Sequence, residues 1–97
     1  MIWYTYILEC VDSSYYVGIS NQLEQRIKRH NSGNGAKYTR SRQPVKLVWK
    51  ERHGSMIESM RKEAQIKKWS HNRKKELINN CPSLLSGRKK KQNSIIR

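Results

Sequence analysis

The chain has 97 residues, the size of one domain, and 21 Lys and Arg against 7 Asp and Glu give it a formal net charge of +14. No run of about 18 apolar residues is present, which excludes a membrane-spanning helix, and no basic stretch leads into an apolar one at the start, so a cleaved secretory signal is not expected. Two cysteines, Cys10 and Cys81, are too few for a disulfide framework or a four-thiolate zinc site; they read as a core thiol and a chain-end thiol in a reducing cytoplasm. Cations in such excess point to a polyanion, nucleic acid first. A ribosome-associated or merely very soluble protein is the bland alternative.

The charge is uneven. Residues 1–20 hold only Glu9 and Asp12, for −2, while residues 21–50 carry +7, residues 51–80 carry +4 and residues 81–97 carry +5. The first segment is therefore the core-forming one. From Trp3 to Cys10 the pattern alternates, with Tyr4, Tyr6, Leu8 and Cys10 on one face, which predicts a strand. Asp12-Ser13-Ser14 reads as a turn into a second strand, Tyr15 to Ile19, making a hairpin. Asn21 to Glu24 resembles a capping box, and a helix is expected from there to about Asn31, ended by Ser32-Gly33. Residues 32–44 read as a basic loop, and Val45 to Trp49 as an alternating third strand. Ser55 to Glu58 is a second capping box, opening a helix to about Trp69. Ser70 caps another short helix that must end before Pro82. The order β-β-α-β-α-α predicts an α+β fold: a small three-stranded antiparallel sheet flanked by helices, over residues 1–80. Residues 81–97 lack apolar periodicity and read as a basic, disordered tail.

Chemistry-bearing residues fall on the helices. On the first, Leu23 and Ile27 mark the buried stripe, and Arg26 and His30, one helical repeat apart, sit at its border. There they are suited to a phosphate, or are a snorkelling arginine and a satisfied border histidine. On the later long helix the apolar stripe is read as Met56, Ile57, Met60 and Ala64. Glu63 lies at that stripe's edge and Glu58 on the far side. A carboxylate there could anchor a magnesium ion whose shell is completed by waters and a phosphate oxygen. It could equally pair with Lys67, four residues on.

Taken together, Tyr4-Thr5-Tyr6, Tyr16-Val17-Gly18, Arg26, His30 and Glu63 resemble the GIY-YIG nuclease family. The resemblance spans roughly residues 3–80. The stretch Gly35 to Arg40 with Pro44 to Val48 is similar to the small single-domain bacterial members, and the whole is similar to the N-terminal nuclease domain of the excision-repair subunit UvrC. The name motif's glycine is replaced by Tyr4, Ile19 stands where some relatives carry lysine, and Asn72 and Asn79 are both candidates for a late asparagine.

The resemblance implies a divalent-metal-dependent endonuclease hydrolysing phosphodiester bonds in DNA, in repair or processing, with one Mg2+ or Mn2+ ion held by Glu63. Arg26 would bind the scissile phosphate. Tyr6 or Tyr16 would orient or deprotonate water, and His30 would be a phosphate or proton-relay contact. Gly18 reads as structural, closing the strand end near the following helix. Lys37, Arg40, Arg42, Lys67 and Lys68 are expected backbone contacts, with Tyr38 stacking on a base. The partner is nucleic acid, DNA favoured over RNA; specificity would come from substrate shape, from the 32–44 loop and basic helices, or from a targeting protein. A non-catalytic nucleic-acid-binding module with the same fold is the alternative, and an RNA-linked accessory protein the third reading.

Overall fold

Hydrophobic and aromatic residues cluster early in the chain, and the first strand becomes the centre of the molecule. The computed structural model describes residues 1–80. It contains β1 (Trp3–Glu9), β2 (Tyr15–Ser20), α1 (Leu23–Asn31), α2 (Lys37–Arg40), β3 (Lys46–His53), α3 (Met56–Lys67) and α4 (His71–Asn79). The strands form an antiparallel sheet in the order β2-β1-β3. The architecture is the expected one, with a single short helix, α2, inside the stretch read as a loop. The segment read as a basic tail lies outside the described residues.

As the central strand, β1 is covered on both faces. Thr5, Tyr6, Ile7 and Leu8 are all buried, although they alternate in the company they keep. Ile7 packs with Val17, Val48, Trp49, Ile66 and Ile78, the layer beneath α3 and α4. Tyr6 and Leu8 pack with Cys10, Leu23 and Val45 beneath α1, with Tyr4, Tyr16 and Ile27 at the margin. Two thin cores therefore share one strand. The alternation expected through Val45 to Trp49 is broken by a bulge: Ile7 faces Trp49 while Leu8 faces Leu47. The extra residue, Val48, joins Trp49 in the same core.

Local capping explains most boundaries. Ser55 Oγ accepts from the Glu58 amide at 3.3 Å, and Glu58 Oε1 reaches back to the Gly54 amide at 3.2 Å. Ser70 Oγ accepts from the Arg73 amide at 3.2 Å. At α1 the expected box does not form. Gln22, not Asn21, is the N-cap residue and makes no side-chain cap. Instead Ser20 Oγ accepts from the Gln22 amide at 2.9 Å, so the strand's last residue holds the helix start. Asn31 clamps the base of the following loop, accepting from Val45 N at 2.7 Å and donating to Val45 O at 3.1 Å. His71 stacks on Tyr15 at 4.5 Å and donates to Ser13 O at 3.0 Å, fastening α4 to the hairpin.

The stripe expected on α3 is overturned. Met56, Ile57 and Met60 are 44%, 57% and 46% exposed, whereas Ser59 and Ile66 are fully buried; Ala64 is exposed as well. Ser59 lies against β1, where Thr5 Oγ1 donates to the Ser59 carbonyl at 2.9 Å and Ser59 Oγ donates to Met56 O at 2.6 Å. A small residue whose hydroxyl is satisfied within its own turn lets the helix backbone approach the central strand. A methionine there would hold it off.

Gly18 sits mid-strand in β2, opposite Tyr6, not at a strand end as expected. A Cβ at that position would lie 2.7 Å from Tyr6 Oη and 2.8 Å from Tyr6 Cζ, so the glycine makes room for the ring. Gly18→Ala is expected to lower stability in urea unfolding by about 1–3 kcal/mol, as overpacking does. Gly54→Ala, whose Cβ would meet only Glu58 Oε1 at 3.9 Å, should stay within about 0.5 kcal/mol of the wild type.

Candidate active site

Four elements bring aromatic rings to one place beneath α1 and α2. Tyr6 from β1, Tyr16 from β2, His30 from α1 and Tyr38 from α2 form a chain of ring contacts. Their centroids are 6.4 Å apart for Tyr6–Tyr16, 5.1 Å for Tyr16–His30 and 6.1 Å for Tyr16–Tyr38. Tyr6 is 1% exposed and His30 0%. Tyr16 is half-buried, and Arg26 is exposed. The Tyr6 hydroxyl meets His30 Nε2 at 3.2 Å, and His30 Nδ1 meets Thr39 Oγ1 at 2.7 Å.

The border expected for His30 and Arg26 is split by the fold. His30 enters the interior and Arg26 remains outside. A ring with no exposed surface and both nitrogens engaged does not touch a phosphate, so that half of its expected role is corrected. Gly35 allows this burial: a Cβ there would sit 2.5 Å from His30 Nδ1 and 2.7 Å from its Cα.

The electrostatics tie further groups to Tyr6. Burial first, then the neighbouring Tyr16, hold its phenol well above the ordinary value; Arg26 pulls the other way and Glu63 adds to the rise. One buried phenol thus feels a tyrosine, a guanidinium and a carboxylate from β2, α1 and α3. Burial lowers the pKa of His30, helped by the guanidinium groups of Arg26 and Arg29. The ring is therefore neutral near pH 7.

Glu63 projects beside the Ser59 to Ile66 contact line, one turn beyond Ser59. Its side chain is 22% exposed and its carboxylate pairs with Lys67 at 3.3 Å. Among the described residues no three His, Cys, Asp or Glu side chains gather into a metal cage. A magnesium ion does not require one, since it keeps several waters and binds through one or two carboxylates plus phosphate oxygens. A half-buried, solvent-reachable carboxylate fits that donor chemistry.

The cationic surface divides into engaged and free members. Arg42 donates to Asp12 Oδ2 at 3.1 Å and to Tyr38 O at 2.8 Å, and its guanidinium covers the Tyr38 ring at 4.1 Å. These bonds hold the loop to the hairpin, so the fold gives Arg42 a structural task that its reading as a backbone contact did not include. Lys67 is likewise paired, with Glu63. Lys37, Arg40 and Lys68 are exposed, and Tyr38 is 39% exposed under Arg42. Asn72 and Asn79 are both exposed on α4. Thr39, Asn31, Gly35 and Ser59 are given no role at the site by the sequence, although Gly35 and Thr39 fall in the stretch that resembles the small bacterial members. Only a threonine three residues after Ala36, the spacing of a hydroxyl turn, hinted at Thr39.

The sequence matches a known domain. The family model described as the GIY-YIG catalytic domain covers residues 2–76. The chain belongs to the GIY-YIG family. It is 53% identical over 75 residues to UPF0213 protein CPE1444 of Clostridium perfringens, covering 77% of this chain and 81% of that protein. It is 50% identical over 80 residues to a UPF0213 protein of Syntrophus aciditrophicus, covering 81% and 92%. Its fold is similar to the solution NMR structure of UPF0213 protein BH0048 from Bacillus halodurans, with 43% identity, TM-score 0.56 and coverage of 86% and 88%. It is also similar to that of EF2693 from E. faecalis, at 30% identity and TM-score 0.57, covering 96% and 95%. The chain is thus one of a group of small, single-domain bacterial GIY-YIG proteins.

The depressed pKa of His30 makes stability depend on pH. Below the ordinary histidine value of 6.5 the unfolded chain binds a proton that the folded chain resists. Stability therefore falls as pH drops through that value and returns as pH rises. The urea midpoint is expected to be lower at about pH 5.5 than at about pH 7.5, and His30→Gln should narrow the difference.

Proposed function

We propose that this GIY-YIG chain is a divalent-metal-dependent endonuclease that hydrolyses phosphodiester bonds in DNA. The observation that carries the reading is the setting of Tyr6, whose hydroxyl has His30 Nε2 at 3.2 Å while Arg26, Glu63 and Tyr16 act on it through space. Such a constellation suits in-line displacement at phosphorus, where water must lose a proton as negative charge grows on the phosphate.

Each side chain has a task within reach. Tyr6 takes a proton from the attacking water as its own passes to His30 Nε2, so no free phenolate forms. This suits a phenol whose ionisation is opposed by burial. Gly18 leaves room for the Tyr6 phenol, whose Oη and Cζ pack where a Cβ would stand. Tyr16, half-buried beside it, orients the water or a non-bridging oxygen. Arg26 binds the scissile phosphate, its exposed guanidinium free to make charge-assisted hydrogen bonds. Glu63 would hold the divalent cation in place of its pairing with Lys67. A bound Mg2+ or Mn2+ ion would neutralise charge on the phosphate oxygens. Lys37, Arg40 and Lys68 would contact the flanking backbone, and Tyr38 would stack on an unpaired base.

The Glu63–Lys67 pair favours one second reading: a nucleic-acid-binding module whose carboxylate stays neutralised and does not recruit metal. Supercoiled plasmid separates the two. With magnesium the wild type should nick, chelator should stop it, and Tyr6→Phe, Arg26→Ala and Glu63→Gln should each reduce the rate on the order of 10²-fold or more. Equal nicking by wild type and variants would signal a contaminant and sink the enzyme reading. Binding without cleavage, weakening steeply with salt, would establish the module.

A further inference from the structure

Every hydrogen in the buried chain from Tyr6 to Ala36 can be assigned. Tyr6 Oη meets His30 Nε2 at 3.2 Å, His30 Nδ1 meets Thr39 Oγ1 at 2.7 Å, and Thr39 Oγ1 meets the Ala36 carbonyl at 3.0 Å. Three contacts share three hydrogens: one on the phenol, one on the neutral imidazole and one on the threonine hydroxyl. The Ala36 carbonyl only accepts, so the third contact uses the threonine hydrogen. Thr39 Oγ1 must then accept from His30, which puts the imidazole hydrogen on Nδ1. Nε2 is left with its lone pair, and the phenol donates to it. Reversing the chain would leave the carbonyl contact empty and the Tyr6 hydrogen without its acceptor, in a residue that is 1% exposed.

We propose that Thr39 is a positioning residue: by accepting from His30 Nδ1 and donating to Ala36 O, it fixes the tautomer in which His30 Nε2 receives the Tyr6 proton. The inference rests on the reading that Tyr6 takes a proton from water, and it adds the group that sets the direction of transfer. When the Tyr6 proton moves, the O–H bond of the phenol breaks and an N–H bond forms at Nε2. The proton lost by water restores the phenol, and the imidazolium keeps its Nδ1 bond to Thr39. The hydroxyl occupies the place a carboxylate holds in a serine-hydrolase triad, but it is neutral. It orients the ring without raising the basicity of an imidazole that lies near Arg26 and Arg29. Two features support this contact. Thr39 is fully buried within the four-residue α2. Gly35 lets the loop press against the histidine, where any Cβ would collide.

The tautomer is read directly by two-bond proton–nitrogen NMR of 15N-labelled full-length protein. Wild-type His30 is expected to show a protonated Nδ1 and an unprotonated Nε2, the less common form for a free neutral histidine. Thr39→Val, which keeps the shape and removes the acceptor, should lose that signature and slow plasmid nicking on the order of 10²-fold. Thr39→Ser should restore both. A protonated Nε2 in the wild type, or an unchanged signature in Thr39→Val, would overturn the assignment whether or not the protein cuts DNA. The expected signature in a wild type that never nicks would leave the hydrogen order standing and remove the endonuclease reading instead.

Discussion

The hydrogen bond between Tyr6 and His30 joins the central strand to the helix that covers it, and both partners are sealed from solvent. Breaking it would strand two buried polar groups, a cost of about 1–3 kcal/mol for each left unsatisfied. In a molecule with two thin cores on either side of one strand, that is a large share of the total stability. Much of the local design follows from protecting this bond. Gly18 gives way for the phenol and Gly35 for the imidazole. Asn31, next to the histidine, grips Val45 so that the intervening loop closes over the ring.

A second theme is the use of charge at close range. The chain carries +14 overall, yet several cations serve the fold itself. Arg42 binds the Asp12 turn and roofs Tyr38, while Lys67 holds the carboxylate of Glu63. The Asp12 carboxyl is kept below its ordinary range by the Ser14 hydroxyl and amide, and by Arg42. What remains exposed on α1, α2 and α3 is the surface available to a polyanion. Arg26 stands out as the cation that Tyr6 senses directly.

The strands, the hairpin and three of the helices were legible from alternation, turn residues and caps, because those signals are local. The family resemblance rested on residues whose spacing reflects strand and helix lengths, and it held for the same reason. On α3, hydrophobicity does not mark the buried side. Ser59 is inside and Met60 outside because the close approach to Thr5 decides the rotation, and that contact spans 54 positions. Glu63 came out near the interface anyway, since it neighbours both the imagined and the actual stripe. The position of His30 follows from helix spacing, but its depth of burial depends on a loop whose closing contacts have no periodic trace. The cap of α1 was misplaced because Ser20, still in the strand, does the work a helix-cap residue does elsewhere.

Ser59 acts as a spacer between α3 and the sheet, and its small size sets the clearance. Glu63 lies one turn further along the same helix, so its distance from the sheet follows that clearance. A bulkier side chain at this remote position would lift the helix and withdraw Glu63 from Tyr6 without altering either residue. Geometry at the cleft is thus calibrated from a place no substrate could reach.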